Sequence, residues 1–278
     1  MLIITDADIR LFAASLVERE YSPATITKYA HDLRLLTDYA PDGIPDKAAL
    51  VGFRAYLTER GYAPTSVNSI LGAVNVFLAF LGSDWRLKYL RVQRKTFLPA
   101  DRELSHGEYE RMVRAAENVG NRRLALLVQT LCALGLRVSE LKAITVESLT
   151  SGEATIQNKG KLRTILMPDV LCKKLQAYCA ERGIVSGSVF VTRTGKPLDR
   201  SNIWKLLKKL AEAARVPTAK VFPHNLRHLF ARTHYARFKD IARLADILGH
   251  SSIDTTRIYT ARSGREERRQ LGQLRLIL

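Results

Sequence analysis

Four short stretches between residues 135 and 259 carry side chains that could act on a phosphodiester. Arg137 lies within Gly-Leu-Arg-Val-Ser-Glu-Leu, Lys159 within Asn-Lys-Gly-Lys, and His224 and Arg227 within His-Asn-Leu-Arg-His. Tyr259 comes nine residues after the histidine of a Leu-Gly-His sequence. A guanidinium stays protonated and can contact two phosphate oxygens at once, and a tyrosine hydroxyl can attack phosphorus. These residue types would suit nucleophilic substitution at a phosphate.

Each stretch, taken alone, also has a structural explanation. Arg137 could form an ion pair with Glu140, three residues later, and a lysine in a turn is usually solvated. The histidine and arginine of His-Asn-Leu-Arg-His share one helix face and could form a surface patch. His250 could cap a helix or lie in the core, and Tyr259 could be a packing residue. The case for one shared site therefore depends on the order and spacing of all the stretches.

That order and spacing resemble the tyrosine recombinase (phage integrase) family. Because the sequence starts directly at the expected core-binding helices, it resembles the Xer-like and mobile-element branch without an arm-binding domain. The family carries G-L-R-x-S-E-L, a lysine in a hairpin turn, H-x-L-R-H, and L-G-H followed nine residues later by tyrosine. The resemblance covers residues 102–265 strongly and the N-terminal helices more weakly. It implies a site-specific DNA recombinase that cleaves and rejoins strands through a 3′-phosphotyrosine, in integration, excision or resolution between short inverted-repeat sites.

The resemblance assigns catalytic roles to Arg137, Lys159, His224, Arg227, His250 and Tyr259. The two arginines would hold the phosphate oxygens, and the tyrosine, with an ordinary pKa of about 10, needs a base or nearby positive charge. We expect His224 to accept its proton and Lys159 to protonate the 5′-hydroxyl leaving group. His250 would donate a hydrogen bond to the phosphate. Glu140 would orient the site around Arg137, and His228 would have a structural or supporting role.

No cofactor and no metal are expected. The sequence offers no cluster of carboxylates placed for two metal ions, and fixed positive charge can take a metal's place at a phosphate. The odd number of cysteines, without a C-x-x-C pair, argues against a disulfide framework and a zinc site. No apolar run is long enough to span a membrane, and the N terminus does not resemble a secretory signal. We therefore expect a cytoplasmic protein.

The net charge of +17 indicates a polyanionic partner, DNA or RNA rather than a membrane. Residues 1–85 hold 7 Lys and Arg against 10 Asp and Glu, whereas residues 86–278 hold 37 against 17. The basic surface therefore belongs mainly to the second part of the chain. With the family resemblance, the expected partner is double-stranded DNA.

The elements that must position these residues are mainly α-helical. Helical periodicity predicts about four helices in residues 1–85, with Pro23 and Pro64 in first helical turns. The family resemblance implies that these helices form a SAM-like core-binding domain. The basic stretch 86–101 predicts a linker, either solvated or lying along a phosphate backbone. Residues 102–278 should form a mostly helical catalytic domain with a small three-stranded antiparallel sheet. Its strands are expected at 153–157, 162–166 and 188–192, the first two joined by the lysine-bearing turn.

Basic residues outside the catalytic set are candidates for contacts to DNA phosphates. Those in the N-terminal helices, the linker and the hairpin turn are Lys28, Arg34, Arg54, Arg91, Arg94, Lys95 and Lys161. In the turn, Lys159 rather than Lys161 is assigned to catalysis because Gly160 flanks it.

The C-terminal segment 265–278 is basic and then apolar, with Leu271, Leu274, Leu276, Ile277 and Leu278. An exposed apolar segment is a liability unless it is buried. It could pack on its own domain. The family resemblance favours docking in trans as a tail helix on a neighbouring protomer, in a tetramer that holds two DNA sites.

Three other functions stay open. A type IB-like topoisomerase would use the same tyrosine chemistry without strand exchange, although the core-binding domain and the apolar tail favour exchange. A catalytically silent DNA-binding regulator would not need every catalytic position to be filled. A structural or RNA-binding module would fit the charge but would leave the Arg, Lys, His and Tyr series unexplained.

Overall fold

The computed structural model describes residues 1–92, 97–98, 103–158, 161–250, 252–259, 262–263, 269 and 272–274. The chain divides into two compact units, Met1–Arg94 and Lys95–Leu278. Within the described ranges, no helix has both the length and the apolar character that a membrane crossing requires.

The N-terminal unit is the expected bundle of four helices. Its helices begin where the sequence offers caps, since the side chains of Thr5, Ser22 and Asp46 each accept a backbone N–H of the first turn. Pro23 and Pro64 each occupy a first helical turn, as predicted. One apolar core joins the four helices. Their bounds are α1 Asp6–Glu18, α2 Pro23–Tyr39, α3 Lys47–Glu59 and α4 Pro64–Phe80.

The start of the predicted linker is packed on α4 rather than solvated. Asn75 forms two hydrogen bonds with the backbone of Leu87, N–H to Oδ1 at 2.8 Å and Nδ2 to carbonyl at 2.9 Å. Asn68 does the same with Leu90, at 2.7 Å and 2.9 Å. The Leu87 side chain is only 2% exposed. Residues 86–90 therefore form a strap that is packed on the N-terminal unit. A free tether could begin only after residue 90.

The C-terminal unit is mostly helical and forms around α6, eight of whose twelve residues are buried. This helix packs against α5, α8 and α10, and a continuous apolar core surrounds it. The helices are α5 His106–Asn118, α6 Arg122–Ala133, α7 Val146–Ser151, α8 Asp169–Arg182, α9 Arg200–Ala213, α10 Pro223–Phe238, α11 Ile241–Leu248 and α12 Ile253–Thr256, with 3-10 helices at Val138–Ala143, Thr218–Lys220 and Arg257–Tyr259.

A β-hairpin lies against this helical core. Its strands, β2 (Glu153–Asn158) and β3 (Lys161–Leu166), pair antiparallel through their whole length. The turn residues Lys159 and Gly160 lie outside the described residues. A separate parallel pair joins β1 (Phe97–Leu98) to β4 (Arg262–Ser263).

The predicted third strand at 188–192 is wrong, because the antiparallel sheet has two strands within the described part of the chain. Ser188 makes only an isolated bridge, with Thr145. The Phe190 side chain is buried in the helical core, and its carbonyl accepts the N–H of Leu198 at 2.9 Å. The segment therefore folds back on itself and does not pair with the hairpin. The mainly α fold is otherwise as predicted.

Candidate active site

Arg137 is positioned by the turn that follows α6. Gly135, with φ of +58°, reverses the chain there, and a Cβ on it would lie 2.5 Å from the Phe230 ring. The 3-10 helix Val138–Ala143 then begins directly after Arg137. Glu140 accepts the Arg137 backbone N–H at 2.8 Å and its Nη1 at 2.7 Å. The arginine side chain is about a quarter exposed, which leaves part of it facing solvent.

The Glu140 carboxylate lies at the centre of three guanidinium groups. It is 3% exposed, and it binds Arg137 Nη1 at 2.7 Å and Arg163 Nη2 at 2.8 Å. Arg227 Nη1 lies 3.8 Å from the same carboxylate. Three cations around one anion leave two positive charges uncompensated in a desolvated place. Such a cluster favours binding of a further anion.

Arg227 is the most deeply buried cation of the group. It lies on the second turn of α10 and is 1% exposed. Its Nη1 donates to the Gly135 carbonyl and its Nη2 to the Leu248 carbonyl, both at 2.6 Å. Burial, and next the charge of Arg137, lower the Arg227 pKa to about 10. The guanidinium is therefore still protonated at neutral pH.

His250 follows Gly249, which ends α11 with φ of +64°. Its Nε2 lies 3.0 Å from Arg227 Nη2, and its Nδ1 lies 2.8 Å from Thr256 Oγ1. Because a guanidinium can only donate, Nε2 must accept and Nδ1 must carry the proton. Burial, then the charges of Arg227, Arg137 and Arg163, lower the His250 pKa to about 4. The neutral ring thus has no proton on Nε2 to give to a phosphate.

Tyr259 ends the 3-10 helix that follows α12, and it is 5% exposed. It shares a small apolar cluster with Leu244 and Leu248 of α11. The His228 ring meets the tyrosine ring edge-on, with centroids 4.9 Å apart, and the His250 ring lies nearly parallel at 6.0 Å. The phenol is therefore next to two imidazoles.

The two histidines of α10 have different surroundings. His224, in the first turn, lines an open cleft of about 670 Å³ together with Arg137. Partial burial, then Arg227, Arg137 and Arg200, lower the His224 pKa. His228 is half-buried, and burial, then His224, Arg232 and Arg227, lower its pKa to about 4. His224 is therefore the more solvent-accessible of the two.

Sequence reasoning missed Arg163, which the structure brings into the Glu140 cluster. Its neighbours Leu162 and Thr164 are exposed, whereas Ile165 is buried, so Arg163 lies on the inward face of β3. The alternation of β3 offered no signal for it, because Leu162 and Leu166 on the opposite face are apolar but exposed. Two further basic residues that sequence reasoning missed line the cleft, Lys142 and Arg200.

The hairpin-turn lysines and the linker cations are only partly described. Lys159, the predicted acid, and the predicted DNA contacts Arg94 and Lys95 lie outside the described residues. Lys161 is described through its backbone, which pairs with Asn158. Arg91, the residue after the strap, is exposed.

The predicted DNA contacts in the N-terminal unit are not equally available. Lys28 forms an ion pair with Asp32 on the same helix. Arg54 donates to the Lys88 carbonyl at 3.3 Å, and Arg34 is exposed. Two of these three cations thus already have partners within the N-terminal unit, and Arg34 is exposed to solvent. Among the described residues, no group of three or more His, Cys, Asp or Glu side chains could hold a metal ion.

The chain matches two known family models and is similar to known tyrosine recombinases. A model described as the phage integrase family matches residues 102–266, and a model of the phage integrase N-terminal SAM-like domain matches residues 9–84. Tyrosine recombinase XerA of Thermococcus kodakarensis is 32% identical over 249 residues, which cover 86% of this chain and 85% of the relative. Tyrosine recombinase XerD of Vibrio cholerae is 30% identical over 267 residues, 87% of each chain.

A solved structure shares the fold across nearly the whole chain. The Tn1549 transposon integrase in complex with transposon right end DNA superposes with a TM-score of 0.72, at 16% identity. The match covers 97% of this chain and 99% of that chain.

Proposed function

This chain belongs to the phage integrase family and is a tyrosine-type site-specific recombinase, and we propose that it cleaves and rejoins double-stranded DNA through a 3′-phosphotyrosine at Tyr259. The reaction would be integration, excision or resolution between short inverted-repeat sites. The N-terminal unit would be a core-binding domain, and residues 102–278 would carry the chemistry.

One observation carries this proposal. Arg137 and Arg227 converge on the buried Glu140 carboxylate, and the same group of residues includes His250 and Tyr259. The excess positive charge of the cluster would attract a phosphate bound in the cleft beside Arg137. Preorganised charge of this kind stabilises the additional negative charge of a pentacoordinate phosphorus.

The proposed step begins with attack by Tyr259 Oη on the phosphorus. The new O–P bond forms as the bond from phosphorus to the 5′-oxygen breaks. The phenol proton passes to His224, and Lys159 gives a proton to the departing 5′-oxygen. Arg137 and Arg227 hold the non-bridging oxygens throughout. Rejoining reverses the step, with a 5′-hydroxyl as the nucleophile, so no energy source is consumed.

His250 cannot act as a simple hydrogen-bond donor to the phosphate in this scheme. Its Nε2 accepts from Arg227, so donation to a phosphate requires a second proton on the ring. The negative charge of a bound phosphate favours that proton, since the low pKa results first from burial and then from neighbouring cations. We propose that His250 gains its donor role only when the substrate is bound.

Strand exchange would require four protomers on two DNA sites, with the C-terminal tail docked in trans. Leu274, one of the few described tail residues, is 58% exposed, which suits a residue that a partner covers.

Covalent trapping tests the proposal. Wild type, Tyr259→Phe and Tyr178→Phe would be incubated with a pool of nicked duplexes that cannot be rejoined, then denatured, and the attached DNA sequenced. Tyr178 is a matched control because it is a buried tyrosine outside the candidate site. We expect adducts with wild type and Tyr178→Phe, and none with Tyr259→Phe.

The recovered sequences would identify the DNA site at the same time. An adduct on Tyr259→Phe would show that another residue is the nucleophile. No adduct with any of the three chains, although DNA binds, would contradict the covalent mechanism.

A further inference from the structure

We propose that Arg163 is a positioning residue for the cleavage step, and that the absence of a side chain at Gly249 is what makes room for it. The inference depends on the proposed function. Arg163 stands outside the motifs that indicated the catalytic residues. It lies on β3 opposite Ile156, and its side chain is 14% exposed.

Arg163 binds two acceptors that also hold Arg137 and Arg227. Its Nη2 donates to Glu140 Oε2 at 2.8 Å, while the other oxygen of that carboxylate accepts from Arg137 at 2.7 Å. Its Nη1 donates to the Leu248 carbonyl, which also accepts from Arg227 at 2.6 Å. One guanidinium therefore fixes the partners of both arginines without being required to touch the phosphate itself.

The same side chain joins three segments that are distant in sequence. The hairpin supplies Arg163 and also carries the turn with Lys159. The 3-10 helix Val138–Ala143 supplies Glu140, and the end of α11 supplies Leu248, two residues before His250. A shift of Arg163 would therefore move the Arg137 partner and the His250 backbone together. Such small displacements matter because phosphoryl transfer depends on alignment.

Gly249 leaves the space that this arrangement needs. A Cβ on Gly249 would overlap Arg163 Nη1 and would lie 2.8 Å from its Cδ. The guanidinium cannot simply move away, because Glu140 and Leu248 hold both of its ends. A side chain at position 249 would thus displace Arg163 from the cluster.

The chain contains a matched control for this glycine. Gly183 ends α8 as Gly249 ends α11, and both have φ of +64°. A Cβ on Gly183 would meet nothing within 4 Å. Alanine should therefore meet the same backbone strain at both positions, and only at position 249 should it meet Arg163.

The test compares Gly249→Ala with Gly183→Ala on the nicked duplex that wild type traps. The rate of adduct formation at saturating protein, the Kd for the duplex and the melting temperature would be measured for each. We expect Gly249→Ala to slow cleavage by about 100-fold, the order of loss that a misplacement of about 1 Å can cause. Gly183→Ala should cleave at the wild-type rate, and neither variant should change Kd.

Substitutions of Arg163 itself complete the test. Arg163→Ala should slow cleavage as Gly249→Ala does, and Arg163→Lys should recover part of the rate because an ammonium can keep one of the two contacts. Adding Gly249→Ala to Arg163→Ala should cause no further loss, since both changes remove the same contact.

The double variant and the two glycine variants can each overturn the inference. One contrary result is equal cleavage rates for Gly249→Ala and Gly183→Ala while wild type is active, and another is a full additional loss in the double variant. A third contrary result would be a lower melting temperature for Gly249→Ala than for Gly183→Ala with equal losses in cleavage rate and in affinity for DNA, because that would indicate a purely structural role. Failure of wild type to form any adduct would instead overturn the proposed function, and the inference with it.

Discussion

His228 lies edge-on against the Tyr259 ring, whereas His224 lines the cleft beside Arg137. Either could accept the phenol proton, but their basicities differ. Burial lowers the pKa of His228 to about 4, which makes it a weak base, whereas His224 is exposed and can exchange its proton with water. These properties favour His224 as the acceptor, in spite of the closer ring contact that His228 makes.

We expect His224→Gln to slow adduct formation by about 10²–10⁴-fold, the usual contribution of a general base. The His224 pKa is lowered from 6.5, so the base is neutral at pH 7 and becomes protonated as the pH falls below that lowered value. Cleavage by wild type should therefore decline on the acidic side of 6.5, and His224→Gln should abolish that decline. The measurement is the adduct rate at saturating protein from pH 5 to 8. His228→Gln is the comparison, and loss of the acidic decline in that variant instead would transfer the role to His228.

Motif reading found the residues of this site more completely than it found their connections. Arg137, Arg227, His250 and Tyr259 do lie together, because each is flanked by residues that fix a local turn or helix end. Arg163 was missed, since its importance arises only where β3 meets the end of α11. Two segments separated by more than eighty residues in sequence meet there, and no local pattern reports such a contact.

At the scale of elements, the strap of residues 86–90 differs most from its predicted form. Its basic residues indicated a tether, but Asn68 and Asn75 lie seven residues apart on α4 and so face the same side of that helix. The two side-chain amides supply the hydrogen bonds that a neighbouring strand would otherwise supply to this extended backbone. The sequence offered the two asparagines and Leu87, yet amides on a helix more often face solvent.

We expect Asn75→Ala to release the strap near Leu87. The variant loses two hydrogen bonds and leaves backbone groups unpaired beside a buried leucine, at a cost of about 1–3 kcal/mol. Hydrogen exchange of the Leu87 amide should accelerate, while amides in the centre of α2 keep their protection. Ser69→Ala, on the exposed side of the same helix, is the control. Equal protection of Leu87 in both variants would mean that apolar packing alone holds the strap.

The hairpin illustrates why strand prediction succeeded in one place and failed in another. Alternation along 153–157 and 162–166, together with a Gly-containing turn, is a local property, and β2 and β3 formed there. The segment 188–192 has similar residues, but Val189 and Phe190 are both buried, so it lacks a solvent face. A short apolar run of this kind does not distinguish a strand from an irregular core segment.

At the scale of the whole molecule, charge and chemistry lie in the same part of the chain. Residues 86–278 hold 37 of the 44 Lys and Arg residues, and the Glu140 cluster belongs to that part. Composition could predict a polyanionic partner because charge is additive along a sequence. It could not predict that part of that charge is buried around a carboxylate, since burial is a property of the folded core.

We expect the affinity for the trapped duplex to fall steeply with salt. A protein that contacts about six to ten phosphates loses about 10³–10⁵-fold in affinity between about 50 and 200 mM salt, through counterion release. The cleavage rate at saturating protein should change much less, because the buried cluster is poorly screened. Fluorescence anisotropy would give the affinity, and adduct formation at saturation would give the rate. An affinity that does not depend on salt would contradict a phosphate-based interface.

The arginines that surround Glu140 come from three places, the turn after α6, the second hairpin strand and the second turn of α10. The tyrosine follows later still, after α12. During synthesis on the ribosome, the candidate site therefore stays incomplete until almost the entire C-terminal unit has been translated. A chain interrupted before α12 would carry much of the basic charge, but it would lack Tyr259. Under the proposed mechanism, such an incomplete chain would be unable to attack DNA through Tyr259.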